Sequence, residues 1–105
     1  MEERRFTKEQ LVELGTRLMK TSGMKDEYAA VIANDLVAAD MRGLYSHGVS
    51  RIPMYLKRID CNGVKPNPDI KVEQVAAAAL RVNGDDGMGF LVAHKAVEEG
   101  IRLAE

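Results

Sequence analysis

A chain of 105 residues, 46% of them apolar and 30% charged, has the composition of a soluble globular protein of one domain, removing about two-thirds of its unfolded surface from water. Fifteen basic residues against sixteen acidic ones leave a net charge of −1, too weak a field to recruit nucleic acid or an anionic membrane. The longest apolar run, residues 75–80, is far short of the roughly 18 that span a bilayer. The start Met1-Glu2-Glu3-Arg4-Arg5 leads into no apolar signal-peptide region, and the lone Cys61 forms no internal disulfide, so the expected compartment is cytoplasmic.

In chain order, Phe6-Thr7-Lys8-Glu9-Gln10-Leu11 reads as a helix start, with Thr7 as N-cap, Gln10 closing a capping box, and Phe6 and Leu11 as a hydrophobic staple. The spacing predicts a first helix over 8–21 with Leu11, Leu14 and Leu18 as its apolar stripe, ended by a left-handed Gly23. A second helix from about Asp26 carries Ala29, Ile32, Ala33, Leu36 and Ala39 on one face and stops at Gly43. Joined this closely, the two helices are expected to pack antiparallel. The third pattern, Val49, Ile52, Leu56 and Ile59, ends at Asn62-Gly63. Pro53 belongs in a first turn, so this helix starts near Ser50 and leaves 46–49 as a turn or a distorted first turn.

Cys61, near the end of that helix, reads as a partly buried small residue rather than a nucleophile. Residues 64–69 form a loop around Pro66 and Pro68. Period-two alternation at 70–73 and 80–82 gives two short strands flanking the alanine run. Residues 84–89 turn the chain into a last helix striped by Phe90, Ala93, Val97 and Ile101, whose pattern still runs at Glu105, as though cut. The expectation is a helix-rich α+β unit, with four helices and a small two-stranded element, forming one domain over 1–105.

The densest chemistry lies in Gly43-Leu44-Tyr45-Ser46-His47-Gly48-Val49-Ser50-Arg51. Histidine both donates and accepts a proton near neutral pH, and the planar fork of Arg51 suits bidentate binding of a carboxylate. Together they could hold a 2-oxo or 2-hydroxy acid while the imidazole exchanges a proton with the adjacent oxygen. Spacing alone leaves this level with a solvated helix start in which Ser46 is an N-cap. If the segment were helical throughout, His47, Arg51 and Tyr55 would share one stripe.

Other motifs carry less. Gly84, Gly87 and Gly89 stand in the order G-x-x-G-x-G, not the dinucleotide order G-x-G-x-x-G. Asn83, Asp85 and Asp86 miss the calcium-loop spacing and read instead as a tight turn whose aspartates favour the following helix dipole. His94 reads as a surface residue, and no metal site is expected.

The stretch LVAADMRGLYSHGVSRIPMY at 36–55, the Asn62-Gly63 pair before a proline-rich loop, and VNGDDGMG at 82–89 resemble, in order and spacing, the amino-terminal part of the malate/L-lactate dehydrogenase family of the second type. That family also includes ureidoglycolate, sulfolactate and diketogulonate reductases. The resemblance covers nearly the whole chain, and its S-H-G-V-x-R-x-P-x-Y core is fairly specific. It implies the amino-terminal third of a larger, non-Rossmann, NAD- or NADP-dependent enzyme acting on a small 2-hydroxy or 2-oxo acid as a homodimer. Ser46 and His47 would be catalytic, with His47 a candidate proton donor, and Arg51 and Tyr55 would bind substrate. The main cofactor site would lie in the remainder of the dehydrogenase, without which this chain is expected to be inactive. Tyr45 stands where many members carry an acidic residue, which puts the substrate in doubt more than the reaction class. The other expectation is a free-standing helical interaction module without catalysis.

Overall fold

The computed structural model describes residues 4–105, so the first three positions of the Met1-Glu2-Glu3-Arg4-Arg5 segment, on which the signal-peptide reading falls, lie outside the described residues. Helix α1, Lys8–Lys20, begins on the expected capping box: Thr7 Oγ1 accepts from the Gln10 N–H at 3.1 Å, and Gln10 Oε1 accepts from the Thr7 N–H at 2.8 Å. Phe6 stays exposed beside it. Thr21 closes the helix and Gly23 takes the left-handed backbone (φ 91°) that turns the chain.

Helix α2, Asp26–Met41, is the centre of the molecule, with Ala29, Ile32, Ala33, Leu36 and Val37 all enclosed. Val37 takes the place expected for Ala39, which is half-buried. The inward face of α1 is Gly15 and Met19, not a stripe through Leu14, which is 54% exposed. The reason is steric. A Cβ on Gly15 would lie 3.2 Å from Ala33 Cβ and 3.5 Å from Ile52 Cδ1, so the missing side chain lets α1 and α2 approach closely.

Helix α2 ends in a Schellman arrangement: Gly43 (φ 80°) donates to Asp40 O at 3.0 Å and Leu44 to Ala39 O at 2.9 Å. Two single 3-10 turns, Tyr45–His47 and Val49–Arg51, then lead into α3, Ile52–Asp60, with Pro53 in its first turn. Helix α3 closes the same way as α2, with Asn62 (φ 61°) as the left-handed residue and Gly63 donating to Arg58 O at 2.9 Å. Cys61 caps this end and is exposed, not partly buried. The 64–69 loop is tied back by Asn67, which accepts from the Lys25 N–H and donates to Gly23 O, each at 2.8 Å.

Strands β1, Lys71–Ala76, and β2, Ala79–Asn83, pair antiparallel from Lys71↔Asn83 to Ala76↔Ala79, with a bulge at Val75. They run longer than the alternation suggested because the alanines join the ladder. Helix α4, Gly89–Ala104, contributes Leu91 and, in part, Phe90 to the core, beside Met19, Met24, Ile32, Leu36, Ile52 and Met88. The stripe expected along it faces outward instead, with Val97 61% and Ile101 57% exposed. The radius of gyration, 15.5 Å, exceeds the about 13 Å of a compact chain this long, since the core engages only the first turn of α4. Among the described residues no helix is long and apolar enough to cross a membrane.

These burials separate two leucines. Leu36→Ala is expected to destabilise the fold by about 2–5 kcal/mol and Leu14→Ala by about 1 kcal/mol or less, as read from urea unfolding midpoints.

Candidate functional site

The segment between α2 and α3 is built from short hydrogen bonds. The His47 N–H donates to Leu44 O at 2.9 Å, which closes the first turn, and the Arg51 N–H donates to Gly48 O at 3.0 Å, which closes the second. Between them Gly48 is extended (φ −99°, ψ −150°). This break means that His47, Arg51 and Tyr55 do not form one helical stripe, since only Tyr55 lies on α3.

Side chains lock the two turns together. Ser50 Oγ donates to Tyr45 O at 2.9 Å, and Arg51 Nε donates to Ser46 O at 2.8 Å. Ser46 Oγ and His47 Nδ1 stand 2.8 Å apart. With Nε committed to the backbone, the two terminal nitrogens of Arg51 remain as an end-on fork, the geometry that accepts a carboxylate. The imidazole, fixed at Nδ1 by Ser46, presents Nε2 outward. Ser46 and His47 are exposed and Arg51 half-buried, so the three form an open surface constellation.

Tyr55 stands apart from them. Its ring meets Phe90 edge-on, with centroids 6.0 Å apart and planes at 78°, and it lines a small cleft of about 140 Å³ with Arg58, Val64 and Met88. The structure therefore brings Ser46, His47 and Arg51 together and links Tyr55 to the start of α4.

Two contacts escaped the sequence reading. Asp40, in the last turn of α2, accepts from the Val49 N–H at 2.9 Å through Oδ2. The only sequence signal for it is a carboxylate just before a glycine stop. His94 is paired, its Nε2 lying 2.8 Å from Asp35 Oδ2 across α2 and α4. Fifty-nine residues separate that pair in the chain, and no local spacing announces it.

The sequence profile of the malate/L-lactate dehydrogenase family matches residues 6–105, and the chain belongs to that family. It is 35% identical over 88 residues to an L-sulfolactate dehydrogenase of Methanocaldococcus jannaschii, covering 84% of this chain and 26% of that one. A ureidoglycolate dehydrogenase (NAD(+)) of Escherichia coli is 31% identical over 101 residues, 96% of this chain and 29% of the relative. The solved malate dehydrogenase of Pyrococcus horikoshii superposes with a TM-score of 0.91 at 33% identity, over 96% of this chain and 29% of that one. The chain thus spans less than a third of the length of the relatives it matches.

The glycine-rich turn at 84–89 has a packing role. A Cβ on Gly84 would lie 2.8 Å from Val92 Cγ2, and one on Gly87 would run into the ring of Pro68. Gly84 and Gly87 thus make room for the protein's own side chains, while Gly89 opens α4 with free space around it. Asp85 and Asp86 are both left-handed (φ 51° and 56°). Neither sits in the first turn of α4, so they do not serve its dipole as expected. Asp85 instead accepts from Lys65 Nζ and from the Asp69 N–H, both at 2.8 Å, clamping the 64–69 loop.

The hydrogen bond from Lys65, then that from the Asp69 N–H, holds the Asp85 carboxyl below its usual range, and the same pairing raises Lys65. A carboxylate lowered on folding stabilises the native state above its unfolded pKa of about 3.9 and loses that contribution as pH falls through the folded value. In Asp85→Asn, the loss of urea midpoint between about pH 6 and about pH 3 is therefore expected to be smaller than in the parent protein.

Proposed function

We propose that these residues form the substrate side of an NAD- or NADP-dependent dehydrogenase that interconverts a 2-hydroxy acid and its 2-oxo acid, acting as a homo-oligomer in the cytoplasm. The observation that carries the reading is the Ser46–His47–Arg51 constellation, in which a fixed imidazole and a free guanidinium fork stand on the same pair of turns. Malate, sulfolactate and ureidoglycolate, the compounds in the names of the relatives, share a carboxylate beside an oxidisable hydroxyl carbon. That substrate class suits a fork next to a proton-exchanging ring.

Arg51 grips the carboxylate through its two terminal nitrogens, which fixes the distance from the carboxylate to the reacting carbon. In reduction the imidazolium of His47 donates through Nδ1 to Ser46 Oγ and delivers its Nε2 proton to the substrate oxygen, which leaves a neutral ring with hydrogen on Nδ1; in oxidation the free Nε2 lone pair takes the proton back. We place Tyr55 on the substrate side from the family motif alone, since its ring is held against Phe90, apart from the other three. The nicotinamide, when bound, supplies or takes the hydride. We assign the main dinucleotide site to the part of the dehydrogenase outside the stretch that this chain matches, a reading supported by the G-x-x-G-x-G order at 84–89, in which Gly84 and Gly87 face Val92 and Pro68.

A second reading, a helical interaction module without catalysis, draws on the outward apolar side of α4 at Val97 and Ile101. Concentration-dependent association without turnover would favour it.

In the enzyme that carries these residues, His47→Asn or Arg51→Ala is expected to lower kcat/KM for a 2-oxo acid by at least about tenfold, roughly 1.4 kcal/mol of transition-state stabilisation. Steady-state kinetics that are unchanged in both variants would remove the site assignment.

A further inference from the structure

We propose that Asp40 is a positioning residue that holds the His47–Arg51 double turn against the end of α2, a role that rests on reading that turn as the substrate side. Two independent observations converge on it. The first is the hydrogen bond from the Val49 N–H to Asp40 Oδ2 at 2.9 Å. It is the side-chain bond that ties the turns to α2, because Ser50–Tyr45, Arg51–Ser46 and Ser46–His47 are all internal to the segment. The second is the space around Gly48. This residue is buried while Ser46, His47 and Ser50 around it are exposed, and a Cβ there would run into the Asp40 carboxylate.

Gly48 lies at negative φ, −99°, so no left-handed backbone calls for glycine there, and the Asp40 carboxylate is what a side chain at this position would meet. Asp40 and Gly48 thus form a lock: a charged acceptor on one element and an absent side chain on the other. A carboxylate accepting from a backbone N–H makes one of the stronger hydrogen bonds. This one acts on Val49, midway between His47 and Arg51, so releasing it frees both functional groups at once. Misplacement of a reacting group by about 1 Å is enough to lose about a hundredfold in rate. Asp40 touches no substrate in this role and acts through the turn alone.

The test, in the enzyme that carries these residues, is the exchange of the Val49 amide hydrogen, read by NMR, together with a mutant cycle in turnover of pyruvate or oxaloacetate with NADH or NADPH. Asp40→Ala is expected to reduce Val49 protection at least about tenfold while the amides of Ile32 and Leu36 keep theirs. Asp40→Asn, which retains an acceptor oxygen, restores it. Gly48→Ala shows the same loss as Asp40→Ala, and the double variant is no worse than either single one. In turnover, Asp40→Ala lowers kcat/KM about tenfold in the parent enzyme and less than about twofold in a background that carries both His47→Asn and Arg51→Ala, a coupling that general loss of stability would not produce.

Val49 protection unchanged in Asp40→Ala, or an equal loss in both backgrounds, overturns the proposal. Where Asp40→Ala does not fold, Gly48→Ala decides: intact Val49 protection there also overturns it. Absence of turnover with either 2-oxo acid counts against the dehydrogenase reading, while Val49 exchange still decides whether Asp40 holds the turn.

Discussion

The enclosure of α2 is the constraint on which every other element depends. Ala29, Ile32, Ala33, Leu36 and Val37 are all removed from solvent, so the helix is contacted on more than one side. Two of its alanines, Ala29 and Ala33, are fully enclosed, and the bare backbone of Gly15 on α1 packs closely against Ala33. Ile32 and Leu36 carry the apolar burial, joining Met19 of α1, Ile52 of α3 and Leu91 of α4 in one cluster. Burial of two such side chains is worth about 3–6 kcal/mol, a large share of the marginal stability of a domain this size. Because α1, α3 and α4 are all referenced to α2, so are the turns that carry Ser46, His47 and Arg51.

What the sequence disclosed was mostly what is local. The capping box at Thr7 and Gln10, the stop at Gly43 and the close of α3 at Asn62 depend on neighbours within a few residues, and the structure reproduces them. The misread features depend on distance. Hydropathy put Leu14 in the stripe of α1 because a count of apolar side chains assigns nothing to Gly15, whose contribution is an absence. Phe90, Ala93, Val97 and Ile101 form a regular stripe, yet periodicity does not say which side of a helix meets the core, and Leu91 was the residue that turned inward. Three core methionines, Met19, Met24 and Met88, were passed over since a flexible thioether fits a gap that only the assembled fold defines. The site was legible as a cluster of reactive types and through its family motif. The spacing of four that placed His47, Arg51 and Tyr55 on one helix overlooked how Gly48 extends the chain between two separate turns.

The electrostatics are those of an open surface. Ser46 and His47 face water, and a charge pair at about 4 Å gains only about 1 kcal/mol in bulk water, against about 4 kcal/mol at the effective dielectric typical near a protein surface. Nothing in the turns themselves excludes water. The neighbouring exposed apolar residues Met41, Leu44 and Tyr45 mark the same face as one that gains from being covered. Geometry is thus established within the segment, by Asp40, Ser46 and Arg51, while strength comes from whatever closes over it.

The pairing of Asp35 with His94 spans 59 residues, and that of Lys65 with Asp85 spans 20, whereas the hairpin of α1 and α2 is made of contacts near in sequence. Chain closure is slower the farther apart its partners lie, so the hairpin has the means to assemble first, with the later helix and strands docking onto a finished α2. Asp40 lies in the last turn of that early unit and reaches only nine residues forward to Val49. The turn that holds His47 would then be shaped during the opening stage of folding, before the chain that closes the rest of the core has found its place.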